Sequence, residues 1–334
     1  MINEVNEMEL TDEIKSAFEA IAPELLPDCD VKYIPAECEP KVFRKRIKEC
    51  TVDELLVFAN CVLEEKNEFL GNIANILVSE LAARVKRAEC LYAVCSTCLP
   101  KAYPYISTAN NVLFFSQESG DAYVKQLREK GEKVSLVKLE GEKIKGYFNA
   151  LTRFGIEYAE IEPGKCKIRY KQKQLIPTSF DSISGTQISF LMLKLIQSKD
   201  RNPDSKILKL FEATVLAAIA NAEFACMGIT VKDSFEALLI TDKRDGSKWI
   251  PCFTDTMEIQ ETYTTIPDIA KTLMTSQVMT VSFRELERFM RLDNVAGVVI
   301  NIGGAGLRIN RETCAKIIAS ANNAKKKREK GATE

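Results

Sequence analysis

The chain has 334 residues, 46% hydrophobic and 28% charged, enough for about two to three domains with real apolar cores. Lys and Arg total 46 against 47 Asp and Glu, so the basic excess of a dedicated nucleic-acid binder is missing, and no nucleic-acid partner is expected. Histidine is absent, which excludes Ser–His and Cys–His nucleophile pairs, His-containing zinc sites and the 2-His-1-carboxylate iron site.

Met1–Leu10 is acidic and has neither the basic region nor the apolar stretch of an export signal. The most apolar window, Val215–Val231, is interrupted by Asn221 and Glu223, and it reads as a buried helix of a soluble protein, not a membrane span. A cytoplasmic location without membrane contact is therefore expected. The 11 cysteines, odd in number and scattered, fit reduced thiols better than a disulfide framework.

Residues 1–88 read as an N-terminal helical segment. Thr11 opens an amphipathic helix with Ile14, Phe18, Ile21 and Leu25 on one face, and Pro27 ends it. Thr51 and Glu54 form a capping box before a helical run from Leu55 to Arg87, with a break expected near Gly71. Residues 89–171 alternate strands and helices: Leu91–Val94, Val112–Phe115, a helix over 119–130, Val134–Leu139, a helix over 140–154, then Ile156–Ile161 and Lys165–Tyr170. Residues 172–234 read as a helical connector, with Pro203 opening its second helix. Residues 235–325 return to strands and helices. A hairpin turns at Asp245-Gly246, Val278–Val281 is a strand, and Ser282 with Glu285 forms a second capping box. Val295–Ile302 is a buried strand, and Asn310 caps a last helix. Residues 326–334 read as a basic disordered tail. The expected fold class is α/β, with α+β character in the helical parts: two related small α/β units with mixed sheets, joined and preceded by helices.

The two α/β segments superpose in order and spacing. Val112–Ser116 matches Ile250–Thr254, Val134–Leu139 matches Val278–Phe283, Tyr147-Phe148 matches Arg288-Phe289, and Gly155–Ile161 matches Ala296–Ile302. Pro163-Gly164 matches Gly303-Gly304. A duplication requires both segments to share one strand order.

Trp249-Ile-Pro-Cys-Phe-Thr254 with Asp255, Val281-Ser-Phe-Arg-Glu-Leu286 and Gly297-Val-Val-Ile-Asn301 before a glycine turn resemble the N-terminal domain of the SseB family (enhanced serine sensitivity protein B) over residues 236–316. Ile302 stands where that family has a proline. Residues 91–170 resemble a degenerate copy, keeping Phe114-Phe-Ser116 and Gly155-Ile156 but with Glu162 near the asparagine position. The resemblance implies a small, bacterial, cytosolic α/β domain with no established enzyme activity, and it transfers no catalytic residue.

Three features could carry chemistry. Cys95 and Cys98 form a C-x-x-C pair with Cys90 upstream, but no helix follows to activate a thiol and no second pair completes a metal site, so incidental cysteines are expected. Gly303-Gly-Ala-Gly306 follows a buried strand and suits either a tight turn or a backbone cradle for an anion, with Thr254, Asn301 and Arg308 as flanking polar groups. Arg284, Arg288 and Arg291 share one helical face, a solvated face or a docking surface, and Trp249 is either core or an interface anchor.

These observations point away from an enzyme and assign no catalytic residue, metal or cofactor. The expected role is a non-enzymatic binding or adaptor protein with a protein partner. The alternative is a sensor that holds an anionic metabolite at Gly303, Gly304 and Gly306, and an enzyme using Cys95, Cys98 or carboxylates stands third.

Overall fold

The computed structural model describes residues 47–64, 68–99, 102–107, 110–163, 168–201, 206–231, 234–267, 275–292 and 294–331. The amphipathic pattern at Ile14–Leu25 lies outside the described residues. The chain divides into two compact units, one of residues 1–95, 104–151 and 156–178, the other of 96–103, 152–155 and 179–334.

The first unit begins with helices α1 (Val52–Glu64) and α2 (Glu68–Arg87). The Thr51 capping box is formed: Thr51 N–H donates to Glu54 Oε2 at 2.6 Å and Glu54 N–H donates to Thr51 Oγ1 at 3.2 Å. Helix α2 runs unbroken through Gly71, so the break expected near that residue is absent from it, and residues 65–67 lie outside the described residues. The first sheet holds β1 (Cys90–Ser96), β2 (Tyr103–Pro104), β3 (Asn110–Phe114), β4 (Val134–Glu140), β5 (Tyr158–Ile161) and β6 (Ile168–Lys171). β4 pairs β1, β1 pairs β3 antiparallel, β3 pairs β5 parallel, and β5 pairs β6 antiparallel. Helix α3 (Gln117–Glu129) follows β3, and α4 (Glu142–Arg153) follows β4. Val94, Val112, Phe114, Val124 and Leu127 form a core between sheet and α3. The chain leaves β6 through the single turn α5 (Gln172–Leu175).

The second unit begins with α6 (Thr186–Arg201) and α7 (Lys206–Ile219). Its sheet holds β7 (Glu223–Val231), β8 (Ser234–Ala237), β9 (Ile240–Thr241), β10 (Lys248–Phe253), β11 (Gln277–Ser282), β12 (Val295–Ile300) and β13 (Leu307–Asn310). Helices α8 (Thr256–Thr265), α9 (Glu287–Met290) and α10 (Arg311–Gly331) complete it. β11 pairs β7 antiparallel, β7 pairs β10 antiparallel, β10 pairs β12 parallel, and β12 pairs β13 antiparallel. The hairpin at Asp245-Gly246 is present, with Thr241 opposite Lys248. One sheet face buries Ile250, Phe283, Val298, Ile300 and Ile317 in the larger core, and the other buries Ala225, Met227 and Phe253 against Ile259 of α8.

Strand for strand, β4-β1-β3-β5-β6 and β11-β7-β10-β12-β13 have the same order, and the pairs β1/β3, β3/β5 and β5/β6 have the same sense as β7/β10, β10/β12 and β12/β13. The three matched strand segments fall on equivalent strands, and the shared strand order that a duplication requires is met, but the register is corrected: Ser116 is equivalent to Asp255 and Glu162 to Asn301, one and two residues from the sequence match.

Two expectations are corrected. Glu223–Val231 is strand β7, not part of a buried helix, so the second sheet begins inside the expected 172–234 connector. Phe224 and Cys226 face one core while Ala225 and Met227 face the other, so the strand shows no alternation and reads like a buried helix. The C-terminal basic run does not start a disordered tail at 326: α10 continues to Gly331. Its Ala, Lys and Arg residues are good helix formers, and cations near the C-terminus complement the helix dipole.

Candidate functional site: the carboxyl edge of the second sheet

The parallel pair β10 and β12 sets Cys252 beside Ile300, so both strands end together. Beyond them lie Thr254, Asp255 and Asn301, all buried. Asn301 has a left-handed backbone, φ 56, which turns its side chain back onto the neighbouring strand. Its N–H donates to the Cys252 carbonyl at 2.8 Å, and its Oδ1 accepts from Thr254 N–H at 3.0 Å. Its Nδ2 donates to Thr254 Oγ1 at 3.0 Å, and that hydroxyl donates to Asp255 Oδ2 at 2.9 Å. Asp255 is the N-cap of α8, accepting from Glu258 N–H at 2.9 Å.

Arg153 completes this edge. It is the last residue of α4 and belongs, with Thr152, Phe154 and Gly155, to the second unit. Its guanidinium is 3% exposed and meets three carboxylates of the first turns of α8: Asp255 at 3.3 Å, Glu261 at 2.5 Å, and Glu258. Burial works against the arginine's charge, but Glu258, Asp255 and Glu261 outweigh it, and its pKa is raised. The guanidinium lies 5.2 Å from the Phe154 ring centroid, and Phe154 meets Tyr103 edge to face at 5.0 Å. The Tyr103 hydroxyl is buried without a hydrogen-bond partner. Burial, then the Glu258 charge, raises its pKa, so the phenol stays neutral.

The glycine turn packs onto the same cluster. A Cβ on Gly303 would lie 2.6 Å from Thr262 Oγ1 and 2.8 Å from Thr262 Cα. A Cβ on Gly304 would run into the Tyr103 hydroxyl and lie 2.6 Å from Glu258 Oε2. The amides of Gly304 and Gly306 donate to the Asn301 carbonyl at 2.9 and 2.8 Å. Gly303 and Gly304 therefore serve a tight turn and close packing against Thr262, Tyr103 and Glu258. An anion set there would meet Glu258 first.

The structure brings Thr254, Asn301, Gly303 and Gly304 together as expected, and places Arg308 elsewhere. Arg308 bonds Asp242 at 2.5 Å and stacks 5.1 Å from the centroid of Trp249, whose Nε1–H donates to Ser247 Oγ at 2.8 Å. Asp242 also accepts from the Arg244 side chain and backbone amide, and these bonds, with that of Arg308, hold its pKa far below the ordinary value. The expected arginine face is divided. Arg284 donates to Asn221 Oδ1 at 2.7 Å, Arg288 lies over Phe289 at 4.5 Å, and Arg291 pairs with Glu287 at 3.1 Å. The Ser282 box is formed, with Ser282 N–H on Glu285 Oε2 at 2.8 Å, but the chain turns through 283–286 before α9 starts at Glu287. Cys95 is buried, and burial pushes its thiol up to about 12, opposite to what a redox pair needs. Arg153 and Tyr103 carried no sequence signal: a basic residue ending a helix is ordinary, and its partners lie about a hundred residues away.

Among the described residues, no group of three or more Cys, Asp or Glu is placed to hold a metal ion, and no helix is long and apolar enough to cross a membrane. No protein-family model and no curated protein matches the chain. Among solved structures it is similar to Anabaena Tic22, a protein of protein transport, at 11% identity over 65% of this chain and 92% of that one, with a TM-score of 0.18. It is similar also to Tic22 from Plasmodium falciparum, at 11% identity over 73% and 98%, with a TM-score of 0.17. Scores this low leave the function to be argued from the chain itself.

Proposed function

We propose that the chain is a non-enzymatic binding or adaptor protein of the SseB-like type, working in the cytoplasm through contacts with a protein partner. One observation carries this reading: the carboxyl edge of the second sheet, where open α/β folds hold ligands, is filled by the unit's own Arg153. Thr254 is bonded to both Asn301 and Asp255, and the amides of Gly304 and Gly306 are spent on the Asn301 carbonyl. A catalytic or metabolite site needs polar groups that face a substrate, and this edge directs them inward. Buried, protonated Cys95 adds no nucleophile. Its surfaces are then what the protein has to offer a partner.

Native mass spectrometry of tagged protein purified from its own cytoplasm tests the reading. A co-purifying protein in stoichiometric complex is the expected result. A chain carrying extra mass of small-molecule size would replace this reading with the metabolite sensor, and turnover lost on substitution of Asp255 or Glu258 would replace it with an enzyme.

A further inference from the structure

Cys226, Cys252 and Cys314 are buried in the larger core of the second unit, all as free thiols. Antiparallel pairing of β7 and β10 sets Cys226 directly opposite Cys252. The Cys252 carbonyl accepts from Asn301 N–H, on the side of β12. In a strand, the N–H and C=O of one residue point the same way, so Cys252 turns its polar groups away from β7. The Met227 carbonyl accepts from Leu238 N–H just beyond β8, so its neighbour Cys226 turns its own polar groups the other way, toward β11. Cys226 and Cys252 are therefore a non-hydrogen-bonded pair. Such pairs hold their Cα atoms about 4.5 Å apart with side chains close together, within the roughly 4.4–6.8 Å that a disulfide spans. Burial first, and then the neighbouring Cys226 side chain, hold the Cys252 thiol well above its ordinary pKa. Cys314 turns away, its thiol donating to the Ile309 carbonyl at 3.5 Å.

We propose that Cys226 and Cys252 are an oxidisable thiol pair that closes to a cross-strand disulfide when the protein meets a peroxide. One sulfur attacks the peroxide, the O–O bond breaks, and a sulfenic acid forms with release of one water. The second sulfur displaces that oxygen, the S–S bond forms, and the second water leaves. Two thiols and one hydrogen peroxide thus give one disulfide and two waters. Reduction by an external thiol through exchange reverses the step. The bond ties β7 to β10, the strand that delivers Thr254 and Asp255 to the buried cluster around Arg153. Because both thiols are buried in the closed sheet, oxidation proceeds through opening of the β7–β10 pair and is slow.

The test exposes the reduced full chain to hydrogen peroxide under conditions where its circular dichroism stays native. Remaining thiols are then blocked with N-ethylmaleimide in denaturant and the digest is mapped by mass spectrometry. The expected product joins the Cys226 and Cys252 peptides and is lighter by two hydrogens. It is lost on treatment with dithiothreitol and absent from Cys252→Ala. Recovery of both cysteines as alkylated thiols, or a bond from either to Cys314, overturns the proposal. The mapping in the unsubstituted chain stands even if the variant fails to fold.

Discussion

Glu162 and Asn301 occupy one position of a repeated fold. Each follows the parallel strand at the carboxyl edge of its sheet, and each is left-handed, with φ 47 and 56. Glu162 N–H donates to the Leu113 carbonyl while its carboxylate accepts from Phe115 N–H; Asn301 N–H donates to the Cys252 carbonyl while its Oδ1 accepts from Thr254 N–H. In both, the residue bridges a carbonyl and the amide two residues later. The residues that follow, Ser116 and Asp255, cap the next helix in the same way, accepting from Ser119 and Glu258 amides. The fold needs an acceptor on a left-handed residue here, and carboxylate and carboxamide both supply one.

That reading separates two costs at Asn301. Asn301→Ala removes the acceptor for a buried amide and keeps a side chain in the left-handed region, costs of about 1–3 and 1–2 kcal/mol. Asn301→Gly loses the acceptor but relieves the backbone, so it should be about 1 kcal/mol less damaging. Trp249 is the chain's single tryptophan, so fluorescence-detected urea unfolding reads the second unit. Equal midpoints for the two variants would mean the backbone conformation carries no cost.

Arg153 is the second test. Its removal leaves Asp255 and Glu258 buried without their cation, and breaking a buried ion pair from one side costs about 3–5 kcal/mol. Arg153→Met should therefore strongly lower the midpoint reported by Trp249. Adding Glu258→Gln to Arg153→Met should recover part of the loss, because one uncompensated charge is gone. A double variant as unstable as the sum of the singles would show that Arg153 acts by packing alone.

How much of this was legible in sequence follows from range. Capping at Thr51 and Asn310, the Asp245-Gly246 hairpin and the strand Val295–Ile300 rest on residues within a few positions of one another, and all are present. β7 was illegible because both its faces are buried, which erases the two-residue period and leaves an apolar run continuous with α7. Thr254, Asn301 and the glycines were found because strand end and turn are local signals. Arg153, Glu258 and Tyr103 were not, because their contacts join segments far apart in the chain.

The glycine turn predicts a steric result independent of charge. Gly303→Ala forces a methyl against the Thr262 Cα, a backbone atom at 2.8 Å that has no rotamer to change. Overpacking of this kind costs about 1–3 kcal/mol. Gly306→Ala meets no close atom, but it places a side chain at φ +59, so its cost is the left-handed strain of about 1–2 kcal/mol. Thr262→Ala should therefore leave Gly306→Ala unchanged, and it should recover little at Gly303 because the Cα clash remains. Full recovery at Gly303 would place the clash in the Thr262 side chain.

Buried thiols give the chain an alkaline limit. Burial pushes Cys95 and Cys314 up from 9.0 to about 12. A group whose pKa is higher folded than unfolded adds stability in full below the unfolded value and loses it as pH rises through the folded one. Between about pH 9 and 12 the unfolded thiols have released protons that the folded thiols still hold, so the folded state weakens as pH rises. The loss is on the order of 2–4 kcal/mol per thiol over the full range. Urea midpoints read by Trp249 should be flat from pH 7 to 9 and then fall, less steeply in Cys314→Ala, since Cys314 lies in the same unit as the probe. Cys95→Ala removes the corresponding slope from the first unit, read by far-ultraviolet circular dichroism. Midpoints that rise above pH 9, or a Cys314→Ala slope equal to that of the unsubstituted chain, would show that these thiols ionise as readily folded as unfolded.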